Sequence, residues 1–133
     1  METALCFDIG LKRTGVAVGQ SISKSAQVAG QISAKQGQLD WQTLSQLLEK
    51  WQPNVIVIGD PKTNDPHLNK LINRFKSHIQ QQYKLPIVEI DEELTSNESN
   101  IHLADSSLST QKKVELRDQI AACLLLESYF RQL

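Results

Sequence analysis

The 133-residue chain predicts an α/β fold in which a five-stranded mixed sheet carries helices on both faces. Three observations lead there. Short, nearly continuous apolar runs separated by Gly-containing turns open the chain, the pattern of consecutive strands joined by hairpins. From residue 40 onward the apolar period lengthens to that of helices, which alternate with two further buried strands. The resulting order is βββαβαβαα: three antiparallel strands, then two parallel ones reached by right-handed crossovers.

Ala4 to Phe7 is apolar on both faces, as a central strand must be. Gly10 and Gly15 bracket a segment able to turn the chain back, so Val16 to Gly19 pairs with the first strand and Ala26 to Ser33 adds a third. Asp40 can cap a helix whose Leu44, Leu47, Leu48 and Trp51 share one stripe and which stops before Pro53. Val55 to Gly59 is a buried strand. Leu68, Leu71, Ile72, Phe75 and Ile79 mark the core face of a second helix, and Pro86 to Ile90 the next strand. Thr95 and Glu98 have the spacing of a capping box and should open a third helix. Ala104 to Gln111 is polar and Ser-rich and reads as a mobile loop. The last helix is expected from about Glu115 to Phe130.

Residues 1–133 form one expected domain, since this length buries about two-thirds of the surface of the unfolded chain. With 40% apolar and 22% charged residues the chain has an ordinary globular composition. Cys6 and Cys123 lie in apolar runs without metal-type spacing and read as small core residues of a reducing compartment. The acids Glu2 and Asp8 leave no basic leader segment, and the longest apolar run, Ile120 to Leu126, is too short for a bilayer. A soluble cytoplasmic protein with no membrane partner is expected. A net charge of −1 argues against coating nucleic acid by charge alone, so phosphate binding would have to be local.

In open α/β sheets, sites form at the carboxyl ends of the parallel strands. Here those ends carry Asp8, Asp60 and the run Asp91-Glu92-Glu93. Like charges gathered at one rim repel each other and raise their own pKa values unless a cation offsets them, so Mg²⁺ or Mn²⁺ is the expected ligand. Acids are also common in wet turns, and the rim alone does not separate the two readings.

Four stretches, "FDIGLKRTGVAVG", "VIVIGDP", "DEELTS" and "RDQIAACLLLESYF", resemble in order and spacing the family of pre-16S rRNA nucleases, also described as Holliday-junction-resolvase-like proteins (YqgF/RuvX type). The similarity runs over essentially the whole chain. It implies an RNase H-like fold and a metal-dependent nuclease, a hydrolase acting in the processing of the 5′ end of pre-16S ribosomal RNA. The family's catalytic acids fall on Asp8, on Glu92 of the D-E-x-L-[ST]-[ST] motif, and on Asp118, the acid opening the last helix. Gly10, Lys12, Arg13, Gly15, Val16 and Ala17 match a further motif.

Carboxylates are the hard ligands that a pair of divalent ions prefers, and such ions, about 3.5–4 Å apart, stabilise the attacking water and the leaving oxygen of an in-line displacement. Asp8 would bridge both ions, with Glu92 and Asp118 completing one shell each. Lys12 and Arg13, in the adjoining turn, are candidate substrate contacts, Arg being the better bidentate phosphate donor. The alternatives are a solvated turn for this pair and a macrodipole acid for Asp118. Asp60 is a candidate fourth metal ligand, or an acceptor that orients one of the other ligands, against the competing reading of an Asp-Pro turn.

Three departures from the family pattern bear on substrate contacts. Glu93 stands where the family usually has Arg, "DPKTNDPHLN" is shorter than the family's Gly-Leu-Pro segment, and Lys112, Lys113 and Arg117 replace a Lys two residues before Asp118. The partner implied is nucleic acid, RNA before a DNA junction, with ribosomal precursor particles as its setting. "DIGLKRTGVAVG" also resembles the phosphate-binding hairpin of the sugar-kinase, actin and chaperone ATPase superfamily, but those proteins need a duplicated domain that 133 residues do not hold. A non-catalytic RNA-binding or ribosome-assembly factor is the other alternative, although only 5% of residues are aromatic and no stacking platform is obvious.

Overall fold

The computed structural model describes residues 2–91 and 110–133, with side chains of the last segment from residue 116 onward. Strands β1 (Thr3–Asp8), β2 (Arg13–Gln20) and β3 (Ser25–Lys35) form an antiparallel meander. A two-residue strand β4 (Gln38–Leu39) follows, then helix α1 (Trp41–Trp51), β5 (Val55–Asp60), α2 (Pro66–Gln82), β6 (Ile87–Asp91) and, after the segment not described, α3 (Thr110–Arg131). The sheet order is β4-β3-β2-β1-β5-β6, with β5 parallel to both β1 and β6. Three antiparallel strands followed by two parallel ones is the expected arrangement, and β1 is central as its apolar run requires.

The sheet has six strands rather than five. β4 pairs with Ala34 and Lys35 through a turn in which Gln36 (φ 54°) and Gly37 (φ 76°) are both left-handed. Two positive φ values in a two-residue loop match the right-handed twist of a hairpin, and glycine supplies one of them without steric cost. α3 also begins earlier than expected, at Thr110. Thr110 and Gln111, read as the end of a mobile loop, are its first turn, while the rest of that loop and the helix expected after Thr95 lie outside the described residues.

The caps act as their residue types dictate. Asp40 accepts hydrogen bonds from the Thr43 amide (3.3 Å) and hydroxyl (2.7 Å), and Gln52 in the left-handed conformation ends α1. Asp65 caps α2, with Pro66 at the first helical position where no amide is needed.

Two cores lie on opposite faces of the sheet. Leu5, Phe7, Val16, Val18, Ile56 and Ile58 point toward α1 and α2, meeting Leu44, Leu48, Leu71, Phe75 and Ile79. Phe7 and Phe75 pack with ring centroids 4.9 Å apart. Ala4, Cys6, Ala17, Val55 and Val57 point the other way, toward Ala122, Leu125, Leu126, Tyr129 and Phe130 of α3. The α3 side of β1 and β2 is thus built of small residues, which lets this helix lie close to the sheet. Among the described residues, no helix is long and apolar enough to cross a membrane.

Candidate active site

Strand alternation decides where each acid faces. Ala4 and Cys6 belong to the α3-side core, so Asp8, two residues further along β1, is also on that side. Asp8 lies directly opposite Gly15 in the antiparallel pairing of β1 and β2. A Cβ at Gly15 would overlap the backbone carbonyl of Asp118 and come within 2.8 Å of the Gln119 amide. Only glycine allows this approach. The missing side chain lets the Asp118 backbone of α3 seat on Gly15, the strand partner of Asp8, although the two acids are far apart in sequence. Gly19, four residues further along β2, also leaves room for α3, since a Cβ there would lie 2.8 Å from the Phe130 ring.

Asp118 is half-buried, and its Oδ2 accepts a 2.7 Å hydrogen bond from Arg13 Nε across 105 positions of sequence. Burial raises its pKa above the ordinary 3.8, while the Arg13 hydrogen bond and the charges of Arg13 and Arg117 pull it down without cancelling that rise. Asp118 stands eight positions past Thr110, in the third turn of α3, so it does not open the helix and the helix macrodipole, felt within the first turn, has no hold on it. Arg13 opens β2 and is oriented by this ion pair, whereas Lys12 is exposed in the turn, its carbonyl accepting the Ala34 amide at 2.9 Å.

The acids at the carboxyl ends of β1, β5 and β6 share a rim but not a face. Ile56 and Ile58 belong to the α1/α2 core, and alternation sets Asp60 on that side, opposite to Asp8. Its Oδ1 accepts the Lys62 amide at 3.0 Å, an Asx turn leading into Pro61 and the α2 loop. Asp91 pairs in register with Asp60 and forms a 3.2 Å ion pair with Lys62. Glu92, the next residue in the chain, lies outside the described residues, as does Glu93. Among the described residues no group of three metal-ligating side chains comes together; Asp8 and Asp118 are the pair that the fold brings to one face. Two hard oxygen donors, one of them left by burial with its charge incompletely offset, fit a divalent cation in ligand type. The role of Gly15 was not apparent from sequence, because a glycine next to a turn reads as part of the turn.

The RuvX family model, described as "Holliday junction resolvase", matches residues 2–132. A protein of Saccharophagus degradans named "Putative pre-16S rRNA nuclease" is 37% identical over 134 residues, covering 98% of this chain and 94% of that protein. Among solved structures, a fowlpox virus resolvase in complex with Holliday junction DNA aligns with a TM-score of 0.61 at 16% identity, covering 98% of this chain and 97% of that one. T. thermophilus RuvC in complex with a Holliday junction substrate aligns with a TM-score of 0.56 at 11% identity, over 99% and 95% of the two chains. At these identities the structures share the fold with this chain, a mixed sheet between helices of the RNase H-like kind. With the family model spanning nearly every residue and a curated relative above one-third identity over the same span, the chain belongs to the RuvX family of resolvase-like nucleases.

Proposed function

We propose that this nuclease is a metal-dependent hydrolase of RNA phosphodiester bonds that matures the 5′ end of pre-16S ribosomal RNA, with Asp8, Glu92 and Asp118 as its catalytic and metal-binding acids. The observation that carries the reading is the seating of the Asp118 backbone on Gly15, the residue opposite Asp8 in the β1–β2 pairing. A helix held that close by backbone contact supports a fixed position for the Asp118 carboxylate, which a catalytic acid needs. The name shared by its relatives, pre-16S rRNA nuclease, supports an RNA substrate.

Asp8, Asp118 and Glu92 would hold Mg²⁺ or Mn²⁺, two ions in the full site. The bound ions would supply an activated water and offset charge on the leaving oxygen. The protein's own groups do the rest. Asp8 ends a central strand whose Ala4, Leu5, Cys6 and Phe7 are fully buried, which anchors its backbone. Arg13 holds Asp118 through Nε, which leaves its two terminal nitrogens to receive a phosphate oxygen. Lys12 adds exposed positive charge in the turn between Asp8 and Arg13.

Holliday-junction cleavage is the second reading, favoured by the family's description and by the two junction-bound neighbours. A panel containing a ribosomal precursor end, single-stranded RNA and a four-way DNA junction separates the two. Mg²⁺-dependent cleavage of at least one RNA is expected, reduced about a hundredfold or more in Asp8→Asn. Cleavage of the junction alone would select the second reading. Equal activity in wild type and Asp8→Asn would remove both, and leave the non-catalytic assembly factor as the account.

A further inference from the structure

The face of α2 away from the core carries a feature that the catalytic acids do not use. α2 holds Lys70, Arg74, His67 and His78 and no carboxylate, its Lys76 being paired with Glu89 of β6 at 2.8 Å, in a chain whose net charge is −1. His67, Lys70, Arg74 and His78 recur at helical spacing, and two adjoining hollows lie along them. The first, about 410 Å³, is lined by Leu11, Gly37, His67, Lys70 and Arg74. The second, about 800 Å³, continues past Lys70, Asn73 and Arg74 to Trp41 and His78. No carboxylate lines either hollow among the described residues.

Both ends of this groove are informative. At one end sits Leu11, 43% exposed, in the turn that joins Asp8 to Arg13, so the groove begins where the catalytic turn leaves the rim. At the other end Trp41 and His78 stack, with centroids 4.1 Å apart and planes at 22°. Burial lowers the pKa of His78, which makes this pair a neutral, flat aromatic surface at neutral pH rather than a further charge. From His67 to His78 the helix rises about 16 Å, the span of about five stacked nucleotides. Cations spaced along a channel that ends on a stacked aromatic pair are the elements that bind single strands: charge follows the backbone while rings accept any base.

We infer that the α2 groove binds the single-stranded RNA arm flanking the scissile phosphate, with Lys70 and Arg74 on its phosphates and Trp41–His78 as a base-stacking platform. This rests on the nuclease reading above and extends it from the acids to substrate length. The strand crosses the rim at Leu11 and Lys12 and runs down α2. Lys70 is the residue to change, since it is exposed, whereas Arg74 also donates to the Gly37 carbonyl at 3.1 Å and supports the hairpin.

The test compares binding and cleavage of RNA of about four and about twelve nucleotides by wild type and Lys70→Glu. The longer RNA should bind wild type more tightly than the shorter one. Lys70→Glu should weaken the longer RNA about tenfold and lower its salt slope by about 1, while leaving cleavage of the shorter one unchanged. In Trp51→Phe, which leaves Trp41 as the sole tryptophan, the longer RNA alone should quench fluorescence. Equal affinity of Lys70→Glu and wild type for the longer RNA, with cleavage intact, would overturn the groove and leave the nuclease reading standing. Absence of binding or cleavage at either length would overturn both. A four-way DNA junction that alone loses affinity in Lys70→Glu would assign the groove to a duplex arm, and quenching of Trp41 by polyglutamate would assign it to an acidic peptide; either result overturns the RNA assignment.

Discussion

Asp118 is held in two ways that oppose each other: burial disfavours its charge, and Arg13, first by a hydrogen bond and then by its field, supports it. The net rise in pKa has a definite sign in stability. A carboxylate whose folded pKa lies above its unfolded value contributes stability that is full below the unfolded pKa and is lost as pH rises through the folded one. In chelator, Asp118→Asn should therefore melt higher than wild type at about pH 7, with the difference shrinking as pH falls toward about 4. A variant melting lower than wild type at neutral pH would show that the Arg13 ion pair outweighs burial. This is the trade expected of a ligand set that is held ready for a cation. Asp60 offers the contrast. Its carboxylate caps the Lys62 amide and sits on the α1/α2 side, so in Asp60→Leu the Mg²⁺ concentration for half-maximal cleavage should stay within about twofold of wild type. A marked rise would return Asp60 to the metal site.

At the scale of elements, the contact of α3 with β2 is what brings two distant acids, Asp8 and Asp118, to one face. Gly15→Ala places a methyl group against the Asp118 backbone, and since neither partner is a flexible side-chain end, the helix must shift. A loss of about 1–3 kcal/mol in urea unfolding is expected, together with weaker metal binding than wild type. Loss of stability with unchanged metal affinity would mean that Asp118 does not need this seat. Much of the element order was legible in the sequence, because β1 and β5 are continuous apolar runs and Asp40 and Asp65 are cap residues preceding amphipathic helices. β4 was not, since Gln36-Gly37 lacks the Asn-Gly or Asp-Gly signal and the strand holds only two residues. The start of α3 was missed for a related reason: Thr110 to Lys113 is wholly polar and presents no apolar stripe. Strand ends pointed to the acids, but period-two alternation had to be laid on the real register before Asp8 and Asp60 separated onto opposite faces. The Arg13–Asp118 pair, spanning 105 positions, and the aromatic pair of the α2 groove exist only in the folded chain.

The whole molecule is a sheet with two unlike sides. Large side chains fill the α1/α2 side, where burial of residues such as Phe7, Phe75 and Ile79 contributes about 1.5–3 kcal/mol each. Small residues on the α3 side give up part of that packing and in return let one helix approach the sheet closely enough to seat Asp118 over Gly15. Asp8 and Asp118, with Glu92, are proposed to form one divalent-metal site. Calorimetric titration of the intact protein with Mn²⁺, followed by melting at saturating Mn²⁺, tests it most directly. Wild type should bind the ion and melt higher with it, by the free energy that ligand excess over Kd provides. Asp8→Asn and Asp118→Asn should each abolish both the binding heat and the rise in melting temperature while remaining folded. Mn²⁺ binding and stabilisation that persist undiminished in Asp8→Asn would contradict the claim.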